Sequence, residues 1–271
     1  MPPTARQTVE RYTNRYMPST TSFVAILMAL ASLPAQNLGD HYVDGVRGRD
    51  LPTGGTPAAP WKTITYALAQ IPPVLDPTRW RTLFASGVNS PQLDMPPGIA
   101  LRVPAGAQLV LGLHLFNTSG SVLTGQAALD ILTATDSTGL KEAGVPFAGN
   151  PSFTIPVSPP HEVQGVCTVD RATKFFAVFP HMHQTGAHMK VWVTGSVGTR
   201  TVWDEDYDFN DQRFGQFAPI ELAAGDKIHM TCTYSPAGAG KTFGDSSLSE
   251  MCFAISYVSP PIASAGSLCS N

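Results

Sequence analysis

Alternating apolar and polar positions dominate the chain beyond residue 80. In the run 108–116, a leucine occupies every second position from Leu109 to Leu115. Successive side chains of a strand point to opposite faces, so this run predicts one strongly apolar strand face. Further strand-like runs follow at 174–179, 189–193, 227–234 and 251–258. Short strands separated by turns predict a mainly β protein, built from antiparallel sandwiches or jelly rolls.

The composition agrees with a turn-rich β protein. Glycine and proline each occur 24 times in 271 residues, scattered between the apolar runs, and 14% of the residues are charged. The formal net charge is −3, so no basic face is expected and nucleic acid is excluded as a partner. No apolar stretch is long enough to cross a bilayer, so no membrane span is expected.

The N-terminal region has the pattern of a secretory signal. Arg11 and Arg15 precede an apolar run at 23–33, which ends in small residues before the sequence turns polar at Gln36. We therefore predict a signal peptide at 1–35, with Met17 as an alternative start. The alternative interpretation of the run is a buried core helix.

The cysteines also favour export. The chain has four of them, all in its C-terminal half and none in a C-x-x-C pair. An even number without zinc-type spacing predicts two disulfides in an oxidising compartment, and hence a secreted or periplasmic protein. They are Cys167, Cys232, Cys252 and Cys269.

The rest of the chain divides into three predicted units. Residues 36–80 resemble the opening turn of secreted parallel β-helix proteins of the pectate-lyase type, and we interpret them as an N-terminal remnant. Two prolines at 159–160 mark a boundary between a unit at 81–160 and a unit at 161–271.

The chemistry concentrates in the last unit. His181 and His183 are two residues apart, so a strand presents both imidazoles on one face as a pair of metal ligands. Met251 stands at the start of another strand, and alternation sends Met251 and Cys252 to opposite faces. A thioether beside two imidazoles favours copper, Cu(I) above all. The alternative is a structural sandwich with core histidines, in which Met251 is ordinary core packing.

These motifs resemble the copper type II, ascorbate-dependent monooxygenases, which include peptidylglycine α-hydroxylating monooxygenase and dopamine β-monooxygenase. The C-terminal domain of that family has H-x-H-x-x-G and later E-M-C. The matching residues here are His181, His183, Gly186 and 250–252. The resemblance covers about 160–271. It implies an antiparallel jelly-roll sandwich with one copper ion bound by His181, His183 and Met251.

The cysteines are in register with the same family. Its disulfide pairing implies bonds between Cys167 and Cys269 and between Cys232 and Cys252.

Residues 81–160 resemble part of the family's N-terminal domain, a partial second β-sandwich. The strand at 111–117 looks like the family's L-x-V-H-Y strand, which makes His114 a candidate remnant of the second copper site. The H-H pair of that second site has no counterpart in this chain.

The resemblance implies O2 activation and C–H hydroxylation, with ascorbate or a similar compound as the reductant. In the amidating enzyme, a basic residue two before H-x-H and a tyrosine after E-M-C help to hold a peptide carboxylate. Phe179 and Ile255 occupy those positions here, so an apolar small molecule is the expected substrate. The alternative function is a secreted, non-catalytic copper-binding or interaction module that has lost the electron-transfer copper site.

Other polar residues receive simpler interpretations. His188 is expected at the surface or beside the metal ligands, and His229 is expected to be exposed. His41 and His161 are expected to be solvated. The acidic run 204–208 is expected to be a solvated loop rather than a calcium site. No hydrolase, Walker or dinucleotide motif is present.

Overall fold

The computed structural model describes residues 21–30, 80–87, 92–104, 107, 109–117, 131–134, 136–158, 160–235, 240–246, 248–264 and 268–269. Within these residues the secondary structure is β throughout, which confirms the predicted mainly β class. The strands are β1 (Thr21–Leu30), β2 (Trp80–Ser86), β3 (Ile99–Leu101), β4 (Leu109–Asn117), β5 (Lys141–Ala143), β6 (Phe147–Gly149), β7 (Thr154–Ile155), β8 (His161–Thr168), β9 (Thr173–Met182), β10 (Gly186–Gly195), β11 (Gly198–Asp206), β12 (Gly215–Leu222), β13 (Lys227–Tyr234), β14 (Lys241–Thr242) and β15 (Cys252–Ser259).

Two four-stranded antiparallel sheets form the C-terminal part of the molecule. Their strand orders are β11-β10-β13-β8 and β12-β9-β15-β6. In β13 every second residue is buried, as the apolar period of two predicts. These residues pack against the buried faces of β9 and β15 in one hydrophobic cluster. The four apolar runs predicted beyond residue 173 fall on β9, β10, β13 and β15.

Strand β9 is buried on both faces, which places the candidate metal ligands away from solvent. Its inner face joins the core between the two sheets. Its outer face packs in a second cluster with Ala85 of β2 and with Tyr257 of β15. The Tyr257 hydroxyl lies 3.4 Å from the backbone nitrogen of Ala85. Described residues of 80–87 and 92–101 therefore cover the outer face of β9 and β15.

The sandwich begins before the boundary that the two prolines predict. Strand β6 pairs with β15, and Gly144 forms a bridge with Val258. Both contacts lie upstream of residue 161, so the sheet recruits its edge strand from the unit predicted to precede it.

Two disulfides connect the sandwich. Cys167 on β8 bonds to Cys269, with Cα atoms 5.2 Å apart. Cys232 on β13 bonds to Cys252 on β15, with Cα atoms 6.0 Å apart, and so joins the two sheets. These are the pairs that the family resemblance implies.

Strand β1 is the middle strand of a third sheet, in the order β2-β1-β4. The apolar run at 23–33 thus contributes a strand at 21–30, so the alternative of a core helix is wrong for these residues. Strand β4 corresponds to the run predicted at 108–116. The remnant at 36–80 and His41 lie outside the described residues, Trp80 excepted. None of the described residues forms a helix long and apolar enough to cross a membrane.

Candidate metal centre

His181 and His183 lie side by side at the C-terminal end of β9. Met182, between them, points into the sandwich core, so both histidines point to the opposite, outer face. Their ring centroids are 5.3 Å apart and the ring planes are 79° apart. Each side chain is only 1% exposed. The strand geometry thus brings the predicted pair together in a buried position.

Met251 immediately precedes β15, the strand that pairs with β9. Cys252 pairs with Met182 and Phe253 pairs with His181 across β15 and β9. One further step of this antiparallel register sets Met251 beside His183. Cys252 is committed to the core disulfide, so alternation puts Met251 on the histidine face, where it is 7% exposed. The Tyr234 hydroxyl donates to the Met251 carbonyl oxygen at 2.6 Å.

Hydrogen bonds at Nδ1 orient both imidazoles. His183 Nδ1 lies 3.1 Å from the Ser249 carbonyl oxygen, which can only accept, so Nδ1 carries the proton. His181 Nδ1 lies 3.0 Å from Oε1 of Gln212. The Gln212 amide nitrogen donates to the Phe209 carbonyl oxygen at 3.0 Å, which orients Oε1 as the acceptor. A neutral ring protonated at Nδ1 carries its lone pair on Nε2, and both Nε2 atoms are buried.

Glu250 anchors the turn that follows the histidines. Its Oε2 accepts from the backbone nitrogen of His183 at 3.0 Å. Its Oε1 accepts from the backbone nitrogen of Thr185 at 2.8 Å and from the Thr185 hydroxyl at 2.7 Å. The carboxylate is completely buried. One side chain next to Met251 therefore fixes the backbone of a histidine ligand candidate.

The segment 207–214 covers the two histidines. The Tyr207 hydroxyl donates to the Met182 carbonyl oxygen at 2.6 Å and accepts from the Met182 nitrogen at 3.1 Å. Burial raises the pKa of Tyr207 far above its usual range, so the hydroxyl stays a donor. The Phe209 ring meets the edge of His183 at 6.2 Å between centroids.

The sequence alone does not predict the contacts of Tyr207 and Gln212 or the role of Glu250. Gln212 and Tyr207 reach β9 from positions 31 and 25 residues away. No local spacing marks such contacts. The E-M-C motif contains Glu250. A carboxylate placed directly before an apolar strand was the sequence feature that could have indicated its role.

Comparison with known families supplies the identity of this part of the chain. Residues 141–269 match the model of the family described as copper type II ascorbate-dependent monooxygenase, C-terminal domain. This match agrees with the family that the motifs of the sequence resemble. The matched residues contain both histidines, Met251 and all four cysteines. No curated protein matches the sequence.

Solved structures give weak likenesses. A chain of the infectious bursal disease virus Gx strain structure is 10% identical with a TM-score of 0.28, over 91% of this chain and 58% of that chain. A chain of the VP2 subviral particle of the same virus is 10% identical with a TM-score of 0.25, over 88% of this chain and 55% of that chain. The chain thus spans little more than half the length of these virus chains, and such low TM-scores establish no shared fold.

The chemistry of the two histidines and Met251 fits a copper ion. Two neutral imidazoles and a thioether form a soft donor set, which suits Cu(I) and tolerates Cu(II). Their Nδ1 atoms are oriented by acceptors, as is usual for metal-binding histidines. Among the described residues, no group of three His, Cys, Asp or Glu side chains is placed to hold a metal. The candidate site therefore depends on Met251 as its third donor.

The other candidate residues lie apart from this centre or outside the described side chains. His188 lies on β10, with its Nε2 3.2 Å from an Asp204 carboxylate oxygen. His229 was expected to be exposed but is half-buried, because the ring of Trp192 stacks on it at 5.1 Å. Its pKa is lowered, mainly by burial. His114 lies on β4, and its side chain is outside the described part.

Two further expectations need correction. His161 is the first residue of β8 and is half-buried, not solvated. Residues 204–206 of the acidic run belong to β11 rather than to a loop. Their charges are partly matched by basic neighbours, since Asp204 bonds to Lys190 at 2.8 Å and Glu205 to Arg213 at 3.2 Å.

Proposed function

We propose that this protein is a copper-dependent monooxygenase-like protein with one copper site formed by His181, His183 and Met251. The observation that carries the proposal is the pair of buried imidazoles, 5.3 Å apart, each held at Nδ1 by an acceptor. The Nε2 lone pairs of both histidines are thereby presented at the end of β9. Met251 immediately precedes the adjacent strand β15. The family match supports copper as the metal and ascorbate as the reductant.

The three side chains supply donors without charge. Neutral imidazoles and a thioether bind the metal while leaving positions for a further ligand, as redox catalysis requires. The bound copper would supply O2 binding and one-electron chemistry. The overall reaction is balanced as substrate C–H, O2 and ascorbate giving substrate C–OH, water and dehydroascorbate. Ascorbate provides the two electrons and two protons that reduce the second oxygen atom to water.

An apolar substrate fits the surroundings of the histidines. The Phe179 ring stacks on His181 at 6.2 Å, and Phe214 packs on Phe179 at 5.0 Å. Ile255 lies opposite Phe179 in the sheet register. These side chains exclude water and offer no cation to a carboxylate. We propose Phe179 and Ile255 as substrate contacts for a small apolar molecule.

The disulfides favour an exported protein. Two disulfides persist where the environment is oxidising, and the family match is compatible with secretion. We propose a secreted or periplasmic protein whose segment 1–35 directs export.

A second candidate function is a non-catalytic copper-binding or interaction module. The observation that favours it is the absence of adjacent histidines from this sequence. His114 would then be a remnant of an electron-transfer site that no longer binds tightly.

The deciding experiment measures copper and turnover together. The disulfide-bonded full chain is loaded with Cu(I), and bound copper is measured by elemental analysis. Met251→Leu tests the third donor, and Met189→Leu is its control in the apolar core. Loaded protein is then incubated with ascorbate, O2 and ethylbenzene, with a glycine-ending peptide as the comparison substrate. Hydroxylated product is measured by mass spectrometry, because free copper also oxidises ascorbate.

Each outcome decides between the functions. One copper per chain, weakened by Met251→Leu but not by Met189→Leu, together with hydroxylated ethylbenzene, supports the monooxygenase. The same copper binding without a product on a broader panel of apolar substrates supports the non-catalytic module. No bound copper leaves a structural sandwich and overturns both. Two copper ions per chain would show that His114 has partners and would favour a complete two-site enzyme.

A further inference from the structure

Glu250 is a buried carboxylate in an apolar part of the molecule. Its side chain has no exposure to solvent. Burying a carboxylate is costly, and an apolar residue of similar volume usually gives equal or greater stability. A charge kept in such a position calls for a role other than stability.

All three hydrogen bonds to its carboxylate come from the turn after His181. The donors are the backbone nitrogens of His183 and Thr185 and the Thr185 hydroxyl, at 3.0, 2.8 and 2.7 Å. The same turn is closed by the Gly186 nitrogen, which donates to the His183 carbonyl oxygen at 3.2 Å. The side chain of Glu250 thus determines where the backbone of His183 lies.

The backbone of Glu250 is itself held. Its nitrogen donates to the Thr242 carbonyl oxygen at 3.0 Å, and its carbonyl oxygen accepts from the Gly244 nitrogen at 3.1 Å. Its chain neighbour Met251 is fixed by the hydroxyl of Tyr234. Glu250 therefore connects two rigid pieces, the strand start that carries the thioether and the turn that carries an imidazole.

The negative charge of Glu250 also acts electrostatically on groups around the candidate metal centre. Burial raises the pKa of Tyr234, and the negative charge of Glu250 raises it further. Fields act strongly in a water-excluded region, because little solvent screens them. The three donor side chains are neutral, so a nearby carboxylate changes the total charge that a bound ion experiences.

We propose that Glu250 is a positioning residue that holds His183 and Met251 in a fixed relation and whose charge favours Cu(II) over Cu(I). The second part rests on the proposed copper function, whereas the first concerns the protein alone. A negative charge stabilises the doubly charged ion more than the singly charged ion. Glu250 would thereby offset the preference of the soft donor set for Cu(I).

The test separates charge from geometry with two variants. Glu250→Gln removes the negative charge and keeps the size of the side chain. The amide nitrogen of the new glutamine replaces one acceptor oxygen and therefore faces a backbone N–H donor. Glu250→Asp keeps the charge and shortens the reach. Glu221→Gln is the control, since Glu221 is exposed and pairs with Lys174. Dissociation constants for Cu(I) and Cu(II) are measured by chelator competition, and thermal unfolding monitors folding.

We expect Glu250→Gln to shift the ratio of Cu(I) to Cu(II) affinity towards Cu(I) by about tenfold or more. Glu250→Asp should shift that ratio by less than about threefold while altering the Cu(II) electron paramagnetic resonance spectrum. If both variants weaken the two ions equally and only lower the melting temperature, the role is structural and the proposal is wrong. An unchanged ratio in a folded Glu250→Gln variant overturns the role of charge.

A metal-free measurement keeps the positioning part independent of copper. Hydrogen exchange of the His183 and Thr185 amides should accelerate at least about tenfold in both variants but not in Glu221→Gln. Unchanged exchange overturns the positioning role. If the parent protein binds no copper while the amides respond as expected, the proposed function fails and the positioning role stands.

Discussion

Nδ1 of His181 lies 3.0 Å from Oε1 of Gln212, and the same amide group donates its own hydrogen bond to the Phe209 carbonyl oxygen. Gln212 is 1% exposed, so no solvent competes for these bonds. Together the two contacts restrict the Gln212 amide to one orientation. They also restrict a neutral His181 imidazole to one tautomer. The ring of His181 is thus prepared as a donor at Nε2 before any ion is present.

We predict that Gln212→Leu lowers copper affinity by about 10–100-fold, the usual cost of removing such a hydrogen-bond partner from a ligand histidine. Leucine fills a similar volume but leaves Nδ1 without its acceptor, so the ring loses its fixed orientation. Gln216→Leu is the matched control, because Gln216 is exposed and bonds to the Asp94 carbonyl oxygen. Chelator competition with Cu(I) measures both variants. Equal affinity in the two would contradict the orienting role.

A second prediction concerns Tyr207. Tyr207→Phe removes the partner of both the backbone nitrogen and the carbonyl oxygen of Met182, between the two histidines. Leaving these buried groups unsatisfied should lower the free energy of unfolding by about 1–3 kcal/mol. Urea unfolding measures the loss.

The control for this change is Tyr257→Phe. The Tyr257 hydroxyl accepts a long contact of 3.4 Å from Ala85, so its removal should cost less than about 1 kcal/mol. Equal losses in the two variants would show that Tyr207 contributes packing alone.

Local patterns predicted the strands and the central pair of the site. Alternation in β13 and the two-residue spacing of His181 and His183 are properties of one strand, so they can be read from a short stretch of sequence. The relation of Met251 to the histidines came from a family motif whose two parts lie on paired strands.

Contacts between distant segments were not predictable in this way. The burial of His229 depends on Trp192, its cross-strand neighbour, and one strand alone does not show it. Gln212 meets His181 through a loop whose composition resembles that of any polar turn. Strand β6 joins the sandwich by pairing with β15, more than a hundred residues later, and no local pattern marks that pairing.

The two disulfides should have separable effects. Cys167–Cys269 spans 102 residues and Cys232–Cys252 spans 20, so chain entropy predicts losses of about 5 and about 3 kcal/mol on removal. Cys252 is adjacent to Met251, whereas Cys269 is distant in sequence from the three donors. The double variant C232A/C252A should therefore weaken copper binding, although it costs less stability than C167A/C269A. Urea unfolding and chelator competition on both double variants test this. If C167A/C269A weakened copper binding more than C232A/C252A, the disulfide between the two sheets would not be what holds the Met251 thioether in place.

The last prediction concerns pH and a turn far from the metal centre. Asp226 accepts hydrogen bonds from the Ser196 hydroxyl, the Ser196 nitrogen and the Ala223 nitrogen, which lower its pKa. A carboxyl group with a lowered folded pKa stabilises the protein above its unfolded value of about 3.9, and this contribution disappears as pH falls through the folded value. Asp226→Ala should thus cost about 1–3 kcal/mol at about pH 7 and clearly less at about pH 2.5. Urea unfolding of both proteins at each pH measures the difference, with Asp206→Ala on exposed β11 as the control. A cost that is the same at both pH values would mean that packing, rather than the ionised carboxylate, stabilises this turn.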